Sequence, residues 1–181
     1  PTIYEAIYPE TVDWLKNLSG FDSITEQWPS LDLATILGEM SRLNGIMNIE
    51  VGVDGDELTT LFINKLSERG IKLTTEQFNS ITDPLARIYA IPDHLHALCN
   101  MLGDGLVPSN AKAGYLARML ARRTLRMRDE LGIDVSLAEL IQHHIEINLG
   151  NKTMKQTHDG IATICRLEEE KYAEMLRKGE Q

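Results

Sequence analysis

The residues best suited to bind an anionic ligand are the basic side chains between Gly105 and Arg128. This window holds six of the chain's 18 lysines and arginines and no aspartate or glutamate. The remaining residues carry 12 basic and 27 acidic side chains, a formal charge of −15, whereas the whole chain carries −9. A basic surface without carboxylates can hold anions, above all phosphates. The six cations are Lys112, Arg118, Arg122, Arg123, Arg126 and Arg128.

Helical spacing groups these arginines on one side of a predicted helix over residues 111–131. Arg118, Arg122 and Arg126 recur every four residues, which keeps them within about 80° of one another around the axis, and Arg123 lies beside this stripe. Because the window contains no acid, their partners must be acids on other helices, phosphates of a nucleic acid, or an acidic protein. The sequence alone does not decide among these three kinds of partner. The side predicted to be buried carries Leu116, Met119, Leu120 and Leu125.

A short loop, Pro108-Ser109-Asn110, leads directly into the basic helix. The backbone N–H groups of a helix's first turn favour an anion. Asn110 is therefore predicted either to cap the helix or to present its side-chain amide to a ligand that the arginines hold. A loop that reads a ligand beside a helix that holds its phosphates is a division of roles suited to nucleic-acid binding.

The elements around this window have helical periodicity almost throughout, which predicts an all-α fold, an irregular bundle of seven or eight helices. Capping boxes are predicted at Thr74–Gln77 and at Ser136–Glu139. Two segments, 46–53 and 71–73, look briefly like strands. The predicted helices cover about residues 4–18, 30–44, 58–69, 75–92, 93–102, 111–131, 136–147 and 153–178.

Two prolines interrupt the helical pattern that starts at Thr75. Proline lacks the N–H of the helical ladder, and its ring clashes with the preceding turn. Pro84 and Pro92 are therefore predicted to kink this helix or divide it, with Pro92 in the first turn of a new helix over residues 93–102.

Other patterns that could do chemistry are incomplete. The turn Asp54-Gly55-Asp56 lacks the remaining ligands of a calcium loop and is predicted to be a capped turn. His143 and His144 are adjacent, so they lie about 100° apart on a helix and cannot share one metal face. Cys99 and Cys165 lie in apolar helical patterns and are predicted to be free, buried thiols. The sequence contains no phosphate loop, nucleophile motif or zinc signature, so no reaction centre is predicted.

The length and the termini predict a piece of a longer protein. No run of about 18 apolar residues occurs, and the first ten residues do not form a signal peptide, so a cytoplasmic chain without a membrane span is predicted. The chain starts in mid-pattern without a methionine, which suggests an excised segment. We predict one helical domain over residues 1–181, with two possible subdomains, 1–90 and 91–181.

A spaced series of motifs runs over residues 93–126: Asp93-His94, Gly103-Asp104-Gly105, Pro108-Ser109-Asn110, Gly114-Tyr115, Arg118 and Arg122-Arg123. In this series the sequence resembles the alanyl-tRNA synthetase family. The first ten residues, PTIYEAIYPE, are similar to the archaeal-type sequence that follows the third class II motif, and residues 168–179 resemble a helix of the family. Residues 20–90 are placed by position rather than by motif.

The resemblance implies a tRNA-recognition domain that receives the acceptor stem of alanine tRNA. In this family the asparagine of the P-S-N loop reads a G·U wobble pair, and by match that residue is Asn110. A G·U pair leaves the guanine 2-amino group unpaired in the shallow minor groove of RNA, where an amide oxygen can accept from it. The tRNA-binding residues expected from the match are Ser109, Asn110, Lys112, Tyr115, Arg118, Arg122, Arg123 and Arg126.

The resemblance also implies partners and cofactors outside this chain. The parent enzyme is expected to be a ligase that joins alanine to tRNA with ATP and Mg²⁺, its catalytic motifs lying before Pro1 and a zinc-binding editing domain after Gln181. The chain itself is predicted to be non-catalytic and to bind no cofactor. Its expected partners are tRNA and the remaining domains of the synthetase.

Three departures from the family's pattern bear on recognition. His96 stands where an arginine is frequent, and Met119 replaces the second arginine of a pair. The family's second wobble-reading residue, an aspartate, is expected beyond residue 181. The alternatives to a tRNA-binding domain are an unrelated helical nucleic-acid-binding module and a helical scaffold whose arginines pair internally.

Overall fold

The computed structural model describes residues 2–46, 55–150 and 152–179. Within these ranges the chain contains no strand, which agrees with the predicted all-α class and confirms it. Seven of the described α-helices have eight or more residues, and two have five or fewer. A 3-10 turn, Phe21–Ser23, precedes the helix Ile24–Gln27, and a π-helical turn, Ile145–Leu149, extends the helix Leu137–His144. The helices are α1 Ile3–Ile7, α2 Pro9–Ser19, α3 Ile24–Gln27, α4 Leu33–Ile46, α5 Gly55–Ser67, α6 Thr75–Gly103, α7 Lys112–Glu130, α8 Leu137–His144 and α9 His158–Arg177.

The N-terminal segment forms two helices, so the prediction of one helix over residues 4–18 is wrong. Pro9 is the first residue of α2, and Tyr8 before it has a non-helical backbone, with φ −128° and ψ 52°. A residue that precedes proline is disfavoured in the helical region, which explains the break. The capping box between Thr2 and Glu5 starts α1.

By contrast, α6 is one continuous 29-residue helix with both prolines inside it. The prediction that a new helix begins at Pro92 is therefore wrong. A proline inside a helix costs about 3 kcal/mol, whereas burial of one Leu or Ile side chain contributes about 1.5–3 kcal/mol. Because Ile88, Ile91 and Leu95 around Pro92 are fully buried, their packing offsets that cost.

The core is organised around α6, which contacts α2, α5, α7 and α8. Its start is the predicted capping box, in which Gln77 N donates to Thr74 Oγ1 at 3.1 Å and Thr74 N donates to Gln77 Oε1 at 2.9 Å. Large side chains with less than 2% exposure come from α2, α5, α6, α7 and α8: Leu15, Leu66, Ile81, Ile88, Ile91, Leu95, Leu98, Leu102, Leu125, Leu137, Leu140 and Ile141.

Small residues form the buried side of α7, which corrects the predicted one. Leu125 is buried as predicted, but Leu116 is 44% exposed, and Met119 and Leu120 are only half-buried. Small side chains let α7 approach α6 closely, so the opposite, larger side chains face outward. The buried residues of α7 are Gly114, Ala117, Ala121, Thr124 and Leu125.

The end of α6 also determines where α9 begins. Predicted from residue 153, α9 instead starts at His158, with Thr157 as its N-cap. The backbone N–H groups of Lys155 and Gln156 both donate to Gly103 O, at 2.8 and 3.0 Å. These tertiary bonds hold the preceding segment in a non-helical path.

The remaining predictions about the elements have mixed outcomes. The capping box at Ser136 and Glu139 is confirmed at the start of α8. Residues 71–73 form no strand and connect α5 to α6. Residues 47–53 of the other strand-like segment, and Asp54 of the predicted capped turn, lie outside the described residues. Within the described ranges, no helix has the length and apolarity needed to cross a membrane.

Candidate nucleic-acid interface

The loop of residues 107–110 is held against the first turn of α7. Ser109 N donates to Gly114 O at 2.9 Å, and Ser109 Oγ donates to Ala111 O at 3.2 Å. A Cβ at Gly114 would lie 2.1 Å from Ser109 Oγ and 2.8 Å from Val107 O. Only glycine permits this close approach, so the Gly114-Tyr115 motif and the Pro108-Ser109-Asn110 motif form one packed unit.

Asn110 is exposed at the edge of this unit and does not cap α7. The N-cap position is Ala111, which makes no side-chain cap hydrogen bond, so the capping alternative is wrong. Instead, the side-chain Oδ1 of Asn110 accepts a hydrogen bond from Nη1 of Arg118. The helix that was predicted to hold a ligand therefore also orients the amide of the loop.

Arg118 joins the loop to the C-terminal helix. Its Nε donates to Glu168 Oε1 at 3.0 Å, and its Nη2 donates to Glu168 Oε2 at 3.3 Å. The same Nη2 also reaches Pro108 O at 3.5 Å. The Arg118 side chain is 14% exposed, so the sequence-predicted stripe turns inward at this position.

Glu168 of α9 accepts from a second arginine as well. Arg122 Nε donates to Glu168 Oε1 at 3.2 Å, and Arg122 Nη1 contacts Met175 Sδ at 3.2 Å. Glu168 is only 3% exposed. A buried carboxylate between two guanidinium groups is a shared ion pair that fixes both side chains.

Arg128 is the third internally paired arginine of the basic window and forms a second ion-pair site near the C-terminal end of α7. It bonds to Glu169 and to Asp129, and its Nη1 also donates to Val135 O at 3.2 Å. Burial alone would lower the pKa of Arg128, but the hydrogen bonds and charges of Glu169 and Asp129 outweigh it and raise that pKa above its ordinary value. Arg128 therefore stabilises the fold through internal partners.

The other half of the basic window faces solvent. Lys112, Arg123 and Arg126 are exposed, and they make no hydrogen bond or salt bridge within the described part of the chain. At 100° per residue, these three and Tyr115 fall within about 80° on the outer face of α7. Tyr115 is 57% exposed and Leu116 44%. We call Lys112, Tyr115, Arg123 and Arg126 the outer face.

The arrangement has two chemically distinct parts. The outer face offers unpaired cations and a phenolic hydroxyl, which suit phosphate oxygens. The loop offers one oriented amide, which suits the edge of a base. The structure thus brings all eight sequence-predicted residues onto α7 and its preceding loop, but it divides the arginines between the interior and the surface.

The histidines that the sequence singled out have structural surroundings. His144 is fully buried, and its Nε2 lies 3.1 Å from His96 Nδ1. Burial, reinforced by the charges of His96 and His143, lowers the pKa of His144 to about 4. The His143 ring stacks on Trp14 with centroids 3.9 Å apart. Among the described residues, no three His, Cys, Asp or Glu side chains are grouped to hold a metal ion.

The two cysteines are free and buried, as predicted. Burial raises the pKa of both thiols, and that of Cys165 reaches about 12. The Sγ of Cys99 lies 3.8 Å from Ile141 O inside the core. Both side chains pack inside the core, where the raised pKa disfavours the reactive thiolate.

Comparisons with known proteins match this arrangement to one family. The family model described as "tRNA synthetases class II (A)" matches residues 2–181. The chain belongs to that family. The predicted resemblance to alanyl-tRNA synthetases is thereby confirmed.

Several archaeal relatives extend the match over almost the whole chain. The chain is 39% identical over 179 residues to the alanine–tRNA ligase of Methanococcoides burtonii, and 40% identical over 180 residues to that of Pyrococcus abyssi. The alanine–tRNA ligase of Pyrococcus furiosus is 39% identical over 180 residues. Each match covers 99% of this chain but 18% of the relative, so the chain spans about a fifth of these synthetases.

Within this synthetase segment, Glu168 is the residue that sequence reasoning missed. In the sequence it stands out only as the first residue of a C-terminal segment that resembles a helix of the family. A signal was present, because Glu168, Glu169 and Glu170 form an acidic run that complements the basic window of residues 105–128, which contains no acid. Sequence cannot pair the two segments, since Glu168 lies 50 residues from Arg118.

Proposed function

We propose that the chain is the part of an alanine–tRNA ligase that binds the acceptor stem of its tRNA and reads a G·U wobble pair through Asn110. The observation that carries the proposal is the position of the Asn110 amide, exposed on the loop and oriented by Arg118 beside the outer face. The ligation of alanine to tRNA would then belong to the complete enzyme. Its ATP, Mg²⁺ and zinc are assigned to no residue of this chain.

The exposed cations supply the first part of the argument. Lys112, Arg123 and Arg126 remain unpaired among the described residues although the chain has an excess of acids. An internal scaffold does not need unpaired cations on one helix face, whereas a phosphate-binding surface does. Arg118, Arg122 and Arg128 do follow the scaffold alternative, so the basic window serves both purposes.

The chemistry of the amide supplies the second part. A carbonyl-type oxygen has two lone pairs, and Arg118 occupies one of those on Asn110 Oδ1. The second can accept from the guanine 2-amino group of a G·U pair, which lies unpaired in the minor groove. One good base contact discriminates by about 1–3 kcal/mol, which corresponds to a preference of about 5- to 150-fold.

The test is binding of the chain to an acceptor-stem hairpin that carries G·U, and to the same hairpin carrying G·C. We expect tighter binding of the G·U stem and loss of that preference in Asn110→Ala. Asn64→Ala, at an exposed asparagine of α5, is the matched control and should keep the preference. Equal affinity of the unaltered chain for both stems would refute base reading by this segment, and no binding at low salt would refute the interface itself.

A further inference from the structure

We infer that Glu168 is a positioning residue for base discrimination, acting on Asn110 through Arg118. The inference rests on the proposed function, because it explains how the reading amide is held. It assigns a role in specificity to a buried side chain on α9, far along the chain from the loop that reads.

Both oxygens of Glu168 are engaged. Oε1 accepts from the Nε atoms of Arg118 and Arg122, at 3.0 and 3.2 Å, and Oε2 accepts from Arg118 Nη2 at 3.3 Å. The carboxylate is 3% exposed, so water does not compete for these bonds. The planar guanidinium of Arg118 is therefore fixed in one orientation by a fork-shaped ion pair.

The opposite edge of the same guanidinium faces the loop. Nη1 donates to Asn110 Oδ1, and Nη2 reaches Pro108 O at 3.5 Å. A guanidinium has only donors. It therefore selects the orientation of the amide that places Oδ1, rather than Nδ2, towards α7.

This selection matters because the two orientations of an amide present opposite groups to a base. In the selected orientation, the free lone pair of Oδ1 accepts from an amino group. If the amide rotated by 180°, the Nδ2 hydrogens would replace it, and two donors would face each other at the guanine 2-amino group. Arg118 prevents that rotation only while Glu168 holds the guanidinium in place.

Glu168→Gln tests the link with little change in volume. Gln keeps one acceptor oxygen but replaces the other with an NH2 donor and carries no charge, so it cannot accept from the Nε atoms of both arginines and from Arg118 Nη2 together. Arg118 should lose its fixed orientation, and the G·U preference should fall to that of Asn110→Ala. Glu170→Gln is the matched control, because Glu170 is exposed on the same helix and its substitution removes the same charge.

The experiment measures affinity for the G·U and G·C hairpins with four variants of the chain: Asn110→Ala, Glu168→Gln, the double variant and Glu170→Gln. If Glu168 acts through Asn110, Glu168→Gln lowers affinity for the G·U stem alone, and it changes nothing further in the Asn110→Ala background. A merely structural role would weaken binding of both stems by the same factor, which would overturn the inference.

The other outcomes separate the two proposals. If Asn110→Ala loses the preference and Glu168→Gln keeps it, the inference is overturned while the proposed function stands. If the unaltered chain has no preference for the G·U stem, both the proposed function and the inference are refuted. Should Glu168→Gln fail to fold by circular dichroism, Arg118→Lys replaces it, because a single ammonium cannot span Glu168 and Asn110 together. A preserved G·U preference in that variant would overturn the inference.

Discussion

The salt dependence of RNA binding should report how many cations of the basic window are exposed. Each phosphate contact contributes about −0.7 to −0.9 to the slope of log affinity against log salt. The outer face has three unpaired cations among the described residues, Lys112, Arg123 and Arg126, which gives a slope of about −2.1 to −2.7. A rise from 50 to 200 mM salt should then weaken binding by about 20- to 40-fold.

Arg123→Gln removes one of these cations without touching an internal ion pair. The slope should shrink to about −1.4 to −1.8, so the same rise in salt weakens binding by only about 7- to 12-fold. The G·U preference should not change, because phosphate contacts position the stem without reading it. Fluorescence anisotropy with a labelled acceptor-stem hairpin, repeated at four or five salt concentrations, measures both quantities.

The control is Lys72→Gln, which removes the same charge at an exposed position between α5 and α6. Its slope should equal that of the unaltered chain. If all six cations of the window bound phosphate, the slope would be about −4.2 to −5.4. Such a slope, or an unchanged slope in Arg123→Gln, would refute the division of the window into paired and exposed residues.

Three further predictions follow from the packing. Gly114→Ala should lower the melting temperature, because its Cβ would lie 2.1 Å from Ser109 Oγ and overpacking costs about 1–3 kcal/mol; Gly38→Ala, with nothing within 4 Å of the new Cβ, should raise it. Because the pKa of His144 is lowered to about 4 from 6.5, the unfolded chain binds one more proton than the folded chain between these values. The free energy of unfolding should therefore fall by about 3 kcal/mol as the pH drops from 6.5 to 4. In His144→Gln, urea titrations should show a pH dependence of unfolding that is smaller by this amount. The same pH dependence in the variant and the unaltered chain would contradict the prediction. Alkylation of Cys165 at pH 8 should be about a thousandfold slower in the folded chain than in urea, because its pKa of about 12 leaves little thiolate, and peptide mass spectrometry would reveal any faster labelling.

Local features of the fold could be predicted from the sequence because they depend on residues within one turn. The capping boxes at Thr74 and Ser136 are examples, since each joins a side chain to a backbone N–H three residues away. The start of α7 after the Pro108-Ser109-Asn110 loop is another. In these places the free energy of starting a helix depends on neighbours along the chain, so the sequence pattern predicts it directly.

Features that depend on packing were predicted less well. Pro9 ends one helix and begins another, whereas Pro92 lies inside α6. The residue type is the same, but Pro92 is buried between Ile91 and Leu95, whose burial offsets the lost hydrogen bond. The residue type of Leu116 predicts a core position, but the small residues opposite it decide which side of α7 packs.

The sequence by itself determined that a third of the positive charge lies in the acid-free window of residues 105–128, and that Asn110 stands where the loop meets the basic helix. Those facts follow from composition and spacing alone. Which arginines hold the fold together and which remain available to a phosphate was decided only by the tertiary structure. The reason is distance along the chain, because Glu168 meets Arg118 and Arg122 across 50 and 46 residues, and only the packing of α9 against α7 brings these charges together.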